Sequence, residues 1–537
     1  MVEVFERIVA SLLCATLFCL MTFKSLGVMQ QSGYKNGAFL RWLEKRENML
    51  FNRLCVLALC LALTSAITSL CFSFLGVKGA LLVSALPFVG LLFSYLYSER
   101  KHALKVAIVK TARLQRLFVC YFFFTLCVSY AVIALLQFMA VWNGAVLYGL
   151  IAYVPFALVV PCLPFILCLA NAFMGVFENA RNRKFVKRAG QVLDEKKIVR
   201  VGIVGSYGKT TLKNILKTLL SEKYKVVATP ESYNTPIGIA KTVALEEFKN
   251  AEVLIAEMGA RKSGDIRELC DLVKPDFAVF TGVCEQHIRS FGSLENVFAE
   301  KSEIIKNGAF TVCAESLKER IENAFEREFI DEAVAFAGLS QVEDLQLLPT
   351  QTKFVLRLGE EKINVSTRLL GCAGAENIAL AVCLAHDCLG LSVAEIARGI
   401  EKIQPTSHRL ELIENAGVYI LDDGYNCNVK GAKEALSALA RFSGGKCVIT
   451  PGIVECGVLE EAINGELGAC IAKNSIDKII LVGETLVGAV KTGYLQAGGE
   501  AEKLTIVKTL EEAKAELAKW IKTGDCVLFL NDLPDVI

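Results

Sequence analysis

The stretch Leu117–Phe177 contains no Asp, Glu, Lys or Arg. A water-soluble domain cannot keep so long a run free of charge without hiding every turn of it. The first third of the chain is therefore constrained toward apolar surroundings. A membrane-spanning helix needs about 20 apolar residues, so this run fits two helices, with a break near Trp142-Asn143-Gly144. Leu54–Val77 and Gly79–Ser98 are each long enough to span, and Ile8–Phe23 is marginal. Five spans are expected within residues 1–177.

The loops between these runs alternate in charge. Lys24, Lys35, Arg41, Lys45, Arg46 and Arg53 follow the first run. Arg100, Lys101, Lys105, Lys110, Arg113 and Arg116 follow the third, and Arg181, Arg183, Lys184, Lys187 and Arg188 the fifth. The other two loops carry almost nothing. Basic loops stay in the cytoplasm, which puts the N-terminus outside and everything after Phe177 inside. The first run lacks a small-x-small cleavage site and reads as a retained anchor. No charge lies within a span, so an anchor or lipid-binding platform is expected rather than an ion or proton path.

Composition adds limits. The 537 residues allow three or four domains. A net charge of +2 gives no sign of a nucleic-acid partner. The 20 cysteines have no metal-type spacing, and many lie in apolar runs. They read as small buried hydrophobes.

After a basic connector at 178–198, Val199–Val204 is a β-branched run typical of a buried strand. Gly205-Ser206-Tyr207-Gly208-Lys209-Thr210-Thr211 follows, then an amphipathic pattern carried by Leu212, Ile215, Leu216 and Leu219. Strand, glycine-rich turn, Lys-Thr and helix form the setting of a phosphate loop, where backbone N–H groups and a helix N-terminus cradle phosphates. The spacing is that of a short G-x-x-G-K-T loop, since Ile203 stands where the longer form has its first glycine. Lys209 would neutralise phosphate charge and the Thr210 hydroxyl would ligate Mg²⁺.

Two further strands end in chemistry-bearing residues. Val253–Ala256 leads to Glu257-Met258-Gly259, and Phe277–Phe280 leads to Thr281-Gly282 and then Glu285-Gln286-His287. In an open α/β sheet, ligands bind beyond the C-terminal strand ends. Thr210, Glu257 and His287 are therefore expected on one rim, an oxygen-rich set suited to Mg²⁺. Leu294–Ile305 reads as a helix carrying Lys301.

At this point the chain resembles the Mur ligase family, and within it the type that adds D-alanyl-D-alanine to a muramoyl tripeptide. Seven motifs carry the resemblance, in the family's order over about residues 199–460. They are the short phosphate loop, Tyr233-Asn234-Thr235-Pro236-Ile237-Gly238, Glu257-Met258-Gly259-Ala260, Glu285-Gln286-His287 with Phe291–Glu295, Ala299–Ile304, His408-Arg409-Leu410-Glu411 and Asp422–Asn428. The resemblance implies an α/β central domain over 199–408 and a Rossmann-like C-terminal domain over 409–537, following the α-helical membrane region. It implies ATP and Mg²⁺ as cofactors. Glu257 and His287 become metal ligands with Thr210, and Lys301 a lysine carbamylated in the family. Asn377, Arg409 and Asp423 become nucleotide contacts, and Asn234, Tyr425 and Asn426 substrate-side contacts.

Three departures stand out. Ala373-Gly374 precede Asn377 where the family usually has His-Asn, Val429 replaces a proline, and the five spans stand where the family has a domain for the UDP end of its substrate. The implied reaction turns a peptide carboxylate into an acyl phosphate with ATP; an amine then displaces phosphate. The acceptor would be a nucleotide- or lipid-linked peptidoglycan-precursor-like peptide, the amine an amino acid or dipeptide. A ligase extending another acceptor, such as a glutamate polymer, would share every motif. A phosphate-loop ATPase driving a transporter would instead need an aspartate where Glu257 stands, and polar groups in the spans. A degenerate fold that only binds a partner would not need Lys209, Glu257, His287 and Lys301 together.

Overall fold

The computed structural model describes residues 2–44, 50–71, 90, 93–97, 108–143, 148–284, 288–425, 427–454 and 456–531. The chain divides into two compact units, residues 1–182 and 183–533.

The first unit is helical. Its described helices are Val2–Met21, Phe23–Gln31, Asn36–Glu44, Leu50–Cys71, Ala112–Asn143 and the part up to residue 182 of Tyr148–Glu195. Two stretches, Ala112–Leu135 and Val159–Glu195, are long and apolar enough to cross a membrane, with a third if the first two helices form one bent span. The helices on either side of the break expected near Trp142-Asn143-Gly144 are described up to Asn143 and from Tyr148, and residues 144–147 lie outside the described residues. Most of the expected span Gly79–Ser98 lies outside the described residues.

Local chemistry shapes this unit. The first helix bends by 51° at Thr22. The Thr22 hydroxyl donates back to the Phe18 carbonyl (2.7 Å) and meets the Tyr121 hydroxyl (2.8 Å), the kind of back-bonding that bends helices. Asn171, inside the charge-free run, donates to the Tyr34 carbonyl (2.9 Å) and to Asn36 Oδ1 (2.7 Å), so its amide is satisfied without water. Where the charge-free run ends, Arg116 Nε meets Glu178 Oε1 at 2.6 Å and Arg181 takes the other carboxylate oxygen at 2.9 Å. Large apolar side chains such as Phe5, Val119 and Val176, each more than 60 % exposed, cover the outer faces. In water such faces would be an aggregation hazard; against lipid they are the expected surface.

In the second unit, β1 (Val199–Val204), β2 (Val226–Ala228), β3 (Val253–Glu257), β4 (Phe277–Phe280), β5 (Phe310–Ala314) and β6 (Val334–Ala337) form a six-stranded parallel sheet in the order β2-β3-β1-β4-β5-β6. Both faces are covered, which is why these strands read as unbroken apolar runs. The strand order reverses at β1, between β3 and β4, and the crevice beyond their C-terminal ends is where such sheets bind ligands. Register fixes what meets there, with Ile203 opposite Glu257 and Val204 opposite Phe280.

A three-stranded antiparallel sheet follows, β7 (Val342–Leu347), β8 (Thr352–Leu358) and β9 (Glu361–Thr367). Then comes a second six-stranded sheet of β10 (Glu411–Asn415), β11 (Val418–Asp423), β12 (Lys446–Thr450), β13 (Lys478–Val482), β14 (Leu504–Val507) and β15 (Cys526–Leu530), in the order β10-β11-β15-β12-β13-β14. Only the β10–β11 pair is antiparallel. Between the central and C-terminal sheets the chain turns through His408 and Leu410, both with left-handed φ (61° and 50°). Such positions cost non-glycine residues about 1–3 kcal/mol each and persist only where their surroundings hold them. Here the Tyr425 amide donates to the His408 carbonyl (3.3 Å) and the Leu410 amide to Asp423 Oδ1 (3.1 Å). The basic segment 178–198 is helical as far as Glu195, and Ala189 and Leu193 are buried in the core of the central sheet.

Candidate active site

The buried strand β1 ends at Val204, and the helix Lys209–Leu220 starts at once, leaving Gly205–Gly208 as a tight loop. The Ser206 amide donates to the Gly282 carbonyl (2.8 Å), and the Thr281 hydroxyl donates to the Tyr207 carbonyl. Gly208 has φ 74°, and a β-carbon there would lie 3.0 Å from Asn377 Oδ1. At Gly282 (φ 142°) a β-carbon would strike the Tyr207 hydroxyl at 2.2 Å. Lys209 folds back on the loop, its Nζ 2.8 Å from the Gly205 carbonyl. The Ser206 hydroxyl is buried with no hydrogen-bond partner among the described residues. A polar atom left unsatisfied inside a loop at a helix N-terminus fits an anion such as a nucleotide phosphate.

Glu257 closes β3 and is 2 % exposed. Its Oε2 accepts from Thr210 Oγ1 (3.0 Å) and Lys213 Nζ (3.1 Å), and Asn234 Nδ2 lies 3.4 Å from Oε1. Lys213 also donates to the Glu231 carbonyl. It is buried because it lies on the helix face that carries Leu212, Leu216 and Leu220. Sequence reasoning missed it, although a lysine on the inward stripe of an amphipathic helix was a visible signal. Among the described residues no cluster of three or more His, Cys, Asp or Glu side chains could hold a metal. A hydroxyl and one carboxylate beside a phosphate loop suit Mg²⁺, which keeps water and phosphate oxygens as its other ligands.

Lys301 projects from the helix Leu294–Lys306, which Ser293 caps by accepting from the Asn296 amide (3.2 Å). The neighbouring Glu300 accepts from the Gly264 and Ile266 amides, both at 2.8 Å, and so fixes the start of the helix Asp265–Val273. Lys301 is 4 % exposed. Burial, and then the nearby Lys209 charge, pull its ammonium down to about 7. Burial also lowers Lys209, with Glu257 pulling the other way.

The C-terminal domain supplies the other wall. Arg409 donates from Nη1 to the Tyr425 carbonyl (2.6 Å), and its guanidinium lies 4.6 Å from the Tyr425 ring centroid. The Tyr425 hydroxyl donates to Ser232 Oγ in the central domain (3.2 Å). Burial raises the Asp423 carboxyl to about 6, with Arg409 opposing. Asn428 caps the helix Val429–Ala440 by accepting from the Gly431 amide (2.9 Å), and Lys430 in its first turn reaches the Tyr207 hydroxyl (3.0 Å). Sequence reasoning did not single out Lys430.

The structure thus gathers Gly205–Thr210, Glu257 and Asn234 at the crevice. Asn377 sits against the phosphate loop, and Arg409, Asp423 and Tyr425 lie together on the C-terminal side. Thr211 begins the loop's helix beside Thr210. His287, with Glu285 and Gln286, and Asn426 lie outside the described residues.

Comparison with known proteins gives the same assignment. The profile of the Mur ligase middle domain matches residues 203–385, and that of the Mur ligase glutamate ligase domain matches residues 408–531. The chain is 30 % identical over 340 residues to the UDP-N-acetylmuramoyl-tripeptide–D-alanyl-D-alanine ligase of Bacillus subtilis, covering 61 % of this chain and 72 % of that one. Among solved structures it is similar to the MurF ligase of Thermotoga maritima in complex with ADP, at 26 % identity and a TM-score of 0.58, covering 66 % of this chain and 81 % of that one. It also shares the fold of MurF from Acinetobacter baumannii, at 23 % identity and a TM-score of 0.57, covering 65 % and 77 %. The chain belongs to the Mur ligase family of ATP- and Mg²⁺-dependent amide-bond-forming ligases.

Proposed function

We propose that this ligase joins D-alanyl-D-alanine, or a similar amine, to the carboxylate of a muramoyl peptide in peptidoglycan precursor synthesis, as the names of its relatives suggest. The observation that carries the reading is the convergence of two domains on one anion-binding crevice. The phosphate loop and the Thr210–Glu257–Lys213 cluster form one side, and Arg409, Asp423 and Tyr425 the other.

Each residue has a task set by charge. A carboxylate is a poor electrophile until it becomes an acyl phosphate, and that step brings anions together. Lys209 and the loop amides offset the repulsion. Mg²⁺, held by Thr210 and Glu257 with a second ion near His287, would screen phosphate charge. Lys213 holds the Glu257 carboxylate in place through their 3.1 Å contact. Lys301, with a neutral amine accessible near pH 7, is suited to take up CO₂ as a carbamate. That would turn a lysine repelled by Lys209 into an anionic partner. Asn377, Arg409 and Asp423 are assigned to the nucleotide, and Asn234, Tyr425 and Asn426 to the substrate side.

The same proposal covers the membrane region. Residues 1–177 would form about five spans with the N-terminus outside, leaving the central (199–408) and C-terminal (409–537) domains in the cytoplasm. The acceptor would then be held at or near the bilayer surface, where proximity supplies much of the rate. Membranes containing the full chain, given ATP, Mg²⁺ and D-alanyl-D-alanine, should release phosphate only with a muramoyl-peptide acceptor. Offering nucleotide-linked and lipid-linked acceptors separately identifies the carrier. Phosphate release with neither, but with a folate or glutamate polymer, would replace this reading.

A further inference from the structure

Lys430 does not belong to any of the motifs that define the site, yet it reaches its most sensitive part. It sits in the first turn of the helix Val429–Ala440, in the C-terminal domain, and its Nζ lies 3.0 Å from the Tyr207 hydroxyl in the phosphate loop. The same Nζ lies 3.2 Å from Glu376 Oε2 and 4.4 Å from the Tyr207 ring centroid. Glu376 neighbours Asn377 on the helix Gly371–Cys383, and Asn377 packs against Gly208. The loop is thus gripped at Gly208 from within the central domain and at Tyr207 from the C-terminal domain. Tyr207 has little freedom to avoid this, because its hydroxyl lies against the backbone of Gly282, where even a β-carbon would not fit.

We propose that Lys430 is a positioning residue, which registers the C-terminal domain on the phosphate loop through Tyr207 and so holds the loop in its anion-binding shape only when that domain is seated. Glu376 aims the ammonium. A second contact, Tyr425 to Ser232, ties the preceding segment to the substrate-side loop. Seating the C-terminal domain therefore touches both ends of the crevice, and Lys430 marks the phosphate end. A charged hydrogen bond with a stacked ring is strong enough to matter where a surface ion pair is not. The inference rests on the ligase reading for its rate effect, but not on which acceptor or amine is used.

The test uses the full chain in detergent or nanodiscs, with Lys430→Met, Lys430→Arg, Tyr207→Phe and the double variant Lys430→Met/Tyr207→Phe. Amide hydrogen exchange without any substrate reads the loop directly. Lys430→Met should speed exchange in residues 205–210 by about tenfold or more, leave β12–β14 unchanged, and be largely rescued by Lys430→Arg. Where turnover is followed, kcat should fall about 10- to 100-fold, with ADP affinity changed less. Tyr207→Phe should produce part of the loss, and the double variant should be no worse than Lys430→Met alone. Unchanged loop exchange in Lys430→Met, or additive losses in the double variant, would overturn the inference. If Lys430→Met fails to fold, unchanged exchange and kcat in Tyr207→Phe overturn it equally. Failure of the wild type to turn over the offered acceptor would count against the acceptor assignment and leave the exchange result standing.

Discussion

Lys213 and Glu257, each 2 % exposed, face one another at 3.1 Å beneath the phosphate loop. A buried pair of this kind is weak evidence for stability as a pair, but removing one partner strands a charge. Lys213→Met should therefore cost about 3–5 kcal/mol of stability. Thermal unfolding with and without Mg²⁺ checks this. The variant should recover more stability from Mg²⁺ than the wild type does, since the cation replaces the lost ammonium. Equal recovery in both would remove Lys213 from the metal-side account.

Lys209→Ala should reduce ATP turnover on the order of a thousandfold while leaving membrane insertion untouched. The lysine donates to the Gly205 carbonyl of its own loop, remote in sequence from every apolar helix. Phosphate release and membrane fractionation on the same preparation separate the two effects. Normal turnover would end the phosphate-loop assignment.

Lys301 predicts a pH dependence with a defined sign. Its folded-state value, about 7, lies below the ordinary 10.5. Between those values the unfolded chain binds more protons at this position than the folded chain. Its contribution to stability is therefore fully present above 10.5, and is lost as pH falls toward 7. The amine that reacts with CO₂ is the neutral form. A carbamate signal in ¹³C NMR with labelled bicarbonate should thus grow as pH rises through about 7 and be missing in Lys301→Ala. That variant should be inactive, unrescued by bicarbonate, and partly rescued by small carboxylic acids. Full activity without additives would dismiss the carbamate.

Residues 183–537 expressed alone should bind ADP as the full chain does but show a steeply raised KM for a membrane-held acceptor. The cut must precede Ala189 and Leu193, which are buried in the catalytic core. Equal handling of a soluble nucleotide-linked peptide by both forms would reduce the membrane region to a tether.

Much of the site was legible because its parts are local. A buried parallel strand is an apolar run, and the residue after it is on the rim, so Glu257 and the loop at Gly205–Thr210 could be placed from sequence spacing. Lys213 and Lys430 were not legible in the same way. Their meaning comes from partners 44 and 223 residues away, and a lysine's spacing says nothing of such partners. The antiparallel β7–β9 sheet was missed for a related reason. It lies outside the motifs, and its alternating burial, clearest in β8 and β9, has no chemistry-bearing residue to draw attention. The basic segment 178–198 read as a connector because charge was weighed above helical continuity, whereas its buried Ala189 and Leu193 sit four apart on one helix face.

The triad of Arg116, Glu178 and Arg181 stands where the charge-free run of two helices ends. An ion pair tolerates the watery edge of a bilayer but not its hydrocarbon interior. In a bilayer neither helix could sink without dragging the other's partner charge into oil, and neither could rise without wetting rings such as Phe173 and Phe177, which touch edge to face at 5.2 Å. There the triad would work as a waterline, setting how deep this unit floats.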